Sequence, residues 1–296
     1  MRLCCINNES YTDSEYVSEF IHFLGKIISS ERNIFCDYTP KKDKQNQFTI
    51  TSFKEGLERY TWGGKSFKDT QHTVSRLSKK LNLAIDTKDE HLMLQTALSI
   101  LEWGQVYRGC IDWLLTHSES NRLIGAITDS SKIIDGTLSC PTDDFISLFD
   151  RGGVYRCNSG TTKIFSLCSN KSIIYDGRVA CAIGMLVHDF LKESQIPFVP
   201  EDLNFLMDAT QRNTSKYTSP EYSFSSKTDI VNAPLNQAIS NLKINLILQK
   251  LIQNSGASIL GFASTQDKMR AIEASMFMIG YEVNVTRFNR EGLFLI

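Results

Sequence analysis

Between residues 158 and 187 the chain reads NSGTTKIFSLCSNKSIIYDGRVACAIGMLV, and two side chains in it have the chemistry of a reaction centre. Lys163 falls in the first turn of an apolar segment over 161–168, where a cation opposes the helix dipole and is therefore costly. Asp176 opens the next helical pattern, where the same dipole favours an ionised carboxylate. Thr161 and Thr162, with the first-turn amides behind Gly160, form a candidate grip for a phosphate. Arg156 and Arg178 flank this stretch and Arg151 precedes it, a crowding that favours a phosphate-facing side. A lysine nucleophile, a carboxylate and a phosphate grip together suit the breaking of an N-glycosidic bond within nucleic acid.

Each of these residues also has a plainer reading. An aspartate before an apolar helix is most often only its N-cap, and a lone lysine is most often solvated. The glycines at 152, 153 and 160 serve a turn whatever else they do. Trp62, Trp103 and Trp113 are the size of core residues. A base swung out of a duplex nevertheless needs an aromatic wall, and Trp62 and Trp103 adjoin glycines that would let one approach. They are the candidate base pocket. The histidines at 22, 72, 91, 117 and 188 show no metal-ligand spacing, and there is no Walker loop, dinucleotide fingerprint or Ser-His-Asp order. Neither a metal nor a cofactor is expected.

The elements that must position these residues are helical. Val17, Phe20, Ile21, Leu24, Ile27 and Ile28 share one helix face after Ser14. Val74, Leu77 and Leu81 mark a second helix, and Leu94, Ala97, Leu98 and Leu101 a third that runs into Trp103-Gly104. A further helix is expected over 106–115. Residues 41–47 read as a charged linker and 48–50 as a short strand. Pro141-Thr142-Asp143-Asp144 starts a short helix over 145–149; a glycine-rich turn over 151–160, a second short helix over 161–168 and an extended link over 172–175 follow. Behind Asp176, Val179, Ile183, Leu186, Val187 and Phe190 make one buried face, while Ala180 and Gly184 permit close packing. From 195 to about 230 the chain is polar, with prolines at 197, 200 and 220, and reads as a long surface loop. Helices over 235–252 and 267–279 and a hairpin over 282–296 complete the pattern. No βαβ rhythm is present, so a doubly wound fold is excluded.

A hydrophobic fraction of 42% in 296 residues supplies a proper core, and the chain reads as one unit over 1–296 with its hairpin and catalytic segment at about 143–191. The formal charge of -1 argues against a basic nucleic-acid coat but allows a local basic groove. Eight cysteines lie without CxxC pairing or regular rhythm, several inside apolar helical patterns, as free thiols do. The opening MRLCCINNESYTDSE lacks the apolar core of a secretory signal, and no run approaches the roughly 18 apolar residues of a membrane span. The expectation is a reduced cytoplasmic protein, away from membranes and monomeric.

The segment 158–187 resembles the helix-hairpin-helix DNA glycosylases, particularly the 8-oxoguanine glycosylase type. In that family a G-x-G-x-K hairpin is followed by a helix, an extended link and a (V/Y)-D-x-x-V segment. By this resemblance Lys163 matches the Schiff-base lysine and Asp176 the catalytic aspartate. The run Ile174 to Ala182 also resembles the IYDxRVAxA of bacterial proteins described as 8-oxoguanine glycosylase-like, and the Trp62-Gly63-Gly64 and Glu102-Trp103-Gly104 segments look similar to theirs. Here two threonines separate Gly160 from Lys163, where the family has one residue, and Lys163 and Asp176 lie 13 positions apart, several fewer than in the family. The resemblance implies a mainly α, helix-hairpin-helix glycosylase-like fold: two helical lobes with a cleft between them, minor β elements, and the 195–230 loop lining the cleft. It implies a partner, double-stranded DNA carrying a modified or damaged base that is flipped out and excised. The bacterial relatives point to defence against phages with modified DNA, for instance glucosylated hydroxymethylcytosine. Repair of 8-oxoguanine type and a non-catalytic DNA-binding module are the alternatives. Attack by Lys163 on C1′ would give an imine and then strand nicking by AP lyase chemistry; if Lys163 only contacts phosphate, Asp176 would activate water.

Overall fold

The computed structural model describes residues 8–34, 36–38, 48–106, 109–207, 222–224, 233–255 and 258–281. Among them it is mainly helical, with twelve α-helices and one two-stranded sheet. Helices α1 (Asn8–Thr12) and α2 (Glu15–Ile28) lead to strands β1 (Cys36–Tyr38) and β2 (Phe48–Ile50), which pair antiparallel with Cys36 opposite Ile50. Then follow α3 (Phe53–Glu58), α4 (Phe67–Thr87), α5 (Glu90–Trp103), α6 (Ile111–Glu119) and α7 (Leu123–Ile134). Helices α8 (Thr142–Phe149), α9 (Thr161–Cys168) and α10 (Gly177–Glu193) carry the segment singled out above. A single 3-10 turn (Glu201–Leu203), α11 (Ala233–Asn254) and α12 (Thr265–Ile279) close the described chain.

Local chemistry sets several helix starts. Ser52, Ser66, Asp89 and Ser264 each accept a hydrogen bond from the amide three residues on, capping α3, α4, α5 and α12. The α2 face of Val17, Phe20, Ile21, Leu24, Ile27 and Ile28 is fully buried, as its spacing requires. Burial of each such side chain contributes roughly 1.5–3 kcal/mol.

The buried apolar side chains form two clusters. The larger draws on α2, α8, α10, α11, α12 and the end of α7 (Ile133, Ile134); the smaller on α4, α5, α6 and the start of α7 (Leu123, Ile127). Helix α9 belongs to both, giving Phe165 to the larger cluster and Ile164 and Leu167 to the smaller. Eight residues long, it has no solvent face except at its end: residues 161–167 are all buried. Helix α11 is also buried on every side yet carries a polar stripe. Gln237 donates to the Tyr175 carbonyl, Asn245 donates to Ile134 O and accepts from the Ile173 amide, and Gln249 donates to Asp135 O and Lys171 O. Three of those bonds pair Lys171 O, Ile173 N and Tyr175 O of the extended 171–175 link, which has no sheet partner, and two pair carbonyls at the end of α7.

Several expectations change. The helix expected over 106–115 begins at Ile111, with 107 and 108 outside the described residues. Helices α3 and α7 were not foreseen; in α7 the buried Ser130 and Ser131 interrupt the apolar stripe that would reveal it. The stretch from 195 is not wholly a surface loop, because Leu203, Phe205, Leu206 and Met207 are buried and the Leu206 carbonyl accepts from the Tyr175 hydroxyl. The rest of that polar loop, apart from 222–224, lies outside the described residues, as do the 41–47 linker and the 282–296 hairpin. No helix among the described residues is long and apolar enough to cross a membrane, and the six described cysteines are free thiols.

Candidate functional site

Asp176 ends the extended link and caps α10. Its Oδ1 accepts from the amides of Arg178 (3.0 Å) and Val179 (3.2 Å), which leaves Oδ2 for another partner. That oxygen faces Lys163 Nζ at 3.9 Å, too long for a direct hydrogen bond but close for opposite charges. Lys163 is 6% exposed along its side chain and Asp176 16%, so the charges interact with little screening. The ammonium also donates to the Ser159 carbonyl at 3.0 Å. Its stem is threaded past Gly104, where a Cβ would collide with Lys163 Cδ and Cε. Glycine is needed there for room.

A small cavity of about 20 Å³ lies where these groups meet, lined by Tyr60, Trp62, Trp103, Ile174, Glu273 and Phe277 together with Lys163, Asp176 and Val179. It has room for about one water molecule. Trp62 stands on a tight turn, Trp62-Gly63-Gly64-Lys65, in which both glycines have positive φ (58° and 76°). Its indole N–H donates to the Trp103 carbonyl at 3.0 Å, and its ring meets Phe277 edge-on. The structure thus brings Trp62 and Trp103 to the Lys163–Asp176 pair from the far end of the chain.

Glu273 is the residue that motif reading overlooks. Its Oε2 accepts from the Ile174 amide at 2.7 Å and from Arg270 at 2.9 Å. Burial raises its pKa, an effect opposed by Arg270 and reinforced by the charge of Asp176. Burial, with the charge of Glu273 next, likewise pushes the Tyr60 hydroxyl well above its ordinary value. The cue in the sequence is faint: a single acid inside AIEASMFMI, four positions before Phe277 and so on the same helix face.

The other candidates fall elsewhere. Gly160, Thr161 and Thr162 are buried and their amides are already used. Asn158 Oδ1 accepts from the amides of Gly160 (2.8 Å) and Thr161 (3.0 Å), the Thr162 amide bonds Asn158 O, and Thr161 Oγ1 accepts from the Asn158 amide. The phosphate grip expected at this helix start is therefore replaced by an internal cap. Gly160 is needed for packing, since a Cβ there would strike Cys110 Sγ. The Arg178 guanidinium lies 4.2 Å from the ring centres of both Phe277 and Tyr281, a cation–π arrangement that ties α10 to the end of α12. Arg156 is exposed beside Gly109. A second, larger hollow of about 800 Å³ lies against α4, α9 and α12, with Lys68, Lys79 and Lys132 on its rim and Arg270 in its wall. Among the described residues no group of three or more histidine, cysteine, aspartate or glutamate side chains could hold a metal.

Compared with family models, with curated proteins and with solved structures, the chain finds no match.

Proposed function

We propose that the protein is a DNA glycosylase that takes a modified base out of the duplex and breaks its N-glycosidic bond. The observation that carries this reading is the meeting of Lys163 and Asp176 at 3.9 Å in a small, aromatic-walled cavity. An amine and a carboxylate so placed can act on one sugar carbon held between them. Asp176 stabilises the positive charge that develops on the sugar as the bond to the base breaks. Lys163, after passing a proton to Asp176, bonds C1′ as the base leaves, and breaking of the C1′–O4′ bond with protonation of O4′ then gives the imine. Tyr60, Trp62, Trp103 and Phe277 are the apolar and aromatic surfaces on which an extruded base would stack. The cavity is smaller than any base, so entry requires its walls to part, as closing and opening elements do in many enzymes. The Trp62 turn is one such wall, held to its neighbours through an indole hydrogen bond to Trp103 O and a ring contact with Phe277.

The test is incubation of the protein with duplexes carrying a panel of modified bases, followed by alkali to reveal abasic sites. Release of at least one base, abolished in Asp176→Asn, is the expected result; binding of DNA with no release from any duplex would overturn the reading. Borohydride added during the reaction separates the roles of Lys163: a covalent protein–DNA adduct, absent in Lys163→Gln, is expected if the amine forms an imine.

A further inference from the structure

Lys163 and Asp176 lie on different helices, and neither contacts the other strongly enough to hold a 3.9 Å separation unaided. Their spacing is set by what fastens α9 to the link before α10. One fastening runs through α12. The Arg270 guanidinium, 5% exposed, donates through Nη2 to the Ser166 carbonyl and through Nη1 to Ser166 Oγ (3.4 Å) and to Glu273 Oε2 (2.9 Å). Ser166 is three residues after Lys163 on α9, and its hydroxyl also donates to the Lys163 carbonyl at 3.0 Å. The same Glu273 oxygen accepts from the amide of Ile174, two residues before Asp176. An unbroken path of hydrogen bonds therefore joins the lysine's helix to the aspartate's link, with both bridging side chains supplied by α12.

We infer that Arg270 and Glu273 are positioning residues that hold Lys163 and Asp176 in register, an inference that rests on the glycosylase reading for its effect on catalysis. Only a planar, forked donor can reach Ser166 and Glu273 together in this way; an ammonium at the same place serves one or the other. The fork is also buried, so its bonds are not exchanged for water. The carboxylate at 273 accepts from Arg270 and Ile174 through one oxygen and matches the guanidinium's charge. An amide there can still accept through its oxygen but offers Arg270 no charge.

The experiment uses the full chain. In Arg270→Lys and Arg270→Met, kcat for base release should fall, by about 100-fold in the methionine variant, the loss expected when reacting groups shift by about 1 Å. Affinity for the uncleaved duplex should change far less than kcat, because the two residues act through the spacing of Lys163 and Asp176. Leu24→Ala, in the α2 core, is the control for mere destabilisation. It should melt at least as early as Arg270→Met and yet keep its kcat. A second measurement stands apart from activity: crystal structures of wild type and Glu273→Gln should show the Lys163–Asp176 separation lengthened in the variant. An unchanged separation, or an Arg270→Met enzyme with wild-type kcat, overturns the inference. If wild type releases no base at all, the glycosylase reading fails, and the measured separation still decides whether the α12 pair sets the geometry.

Discussion

Helices α9 and α10 begin within a few ångströms of one cavity, and they cap themselves in opposite ways. At α9 the N-cap position is Gly160, and Asn158 two residues earlier does the capping: its single oxygen accepts from the Gly160 and Thr161 amides and from Cys110 Sγ. The first-turn amides of α9 are all bonded within the chain. At α10 the cap is Asp176, which bonds two amides with one oxygen and turns the other toward Lys163. A neutral amide and a carboxylate cap a helix about equally well. The charge is what differs, and only the charged cap has an oxygen to spare. A cap can therefore also be a reactive group when its second oxygen faces a cavity.

Asp176→Asn is the sharpest way to break this comparison. Asparagine should keep the cap, so the melting temperature should stay close to that of wild type. Base release should fall by about 10²–10⁴-fold, the range for removal of a working carboxylate. Equal loss of stability and activity would return Asp176 to a purely structural role. Gly104→Ala comes next. The added methyl displaces Lys163 Cδ and Cε, which are flexible, so the fold should survive while activity drops by about 100-fold through misplacement of the amine. Denaturant unfolding alongside kinetics separates the two effects.

Asn158→Ala should do the reverse. Loss of this cap should cost about 1 kcal/mol of stability, read as a shift in the urea midpoint, with a much smaller loss of base release per folded molecule than in Asp176→Asn.

The last expectation concerns a second buried lysine, on α11. Lys243 donates to the Glu201 carbonyl at 2.8 Å, and burial lowers its pKa to about 8 against the opposing charges of Asp202 and Glu201. In the unfolded chain a lysine keeps its proton up to about 10.4. Between those values the unfolded state binds the extra proton, so stability should rise with pH there, by at most about 1.4 kcal/mol per unit. Lys243→Met should flatten that rise. A pH series of unfolding curves checks it, and an unchanged slope would assign the rise to another group.

Much of the helical framework could be read from apolar spacing. The α2 face, the strand at 48–50, the short helix over 161–168 and the start of α10 at Asp176 all follow from periodicity and capping. Helix α7 was hidden because two buried serines, Ser130 and Ser131, break its apolar stripe; Ser131 donates across the core to Phe165 O. Buried polar side chains with tertiary partners look like surface residues in one dimension. The same reason hid the stripe on α11, whose glutamines and asparagine are spent on the 171–175 backbone.

Within the site, the sequence alone determined which residue types could do chemistry and that Asp176 would start a helix, since capping and residue type are local properties. Tertiary structure decided everything that depends on distance. It placed Lys163 beside Asp176, brought Trp62 and Trp103 to them, and added Glu273 and Arg270 from α12. It also closed the expected phosphate grip at Thr161 and Thr162, because Asn158 had already taken those amides. Spacing along a chain cannot say which hydrogen-bond donors remain unspent; that is settled only when every buried group has found its partner.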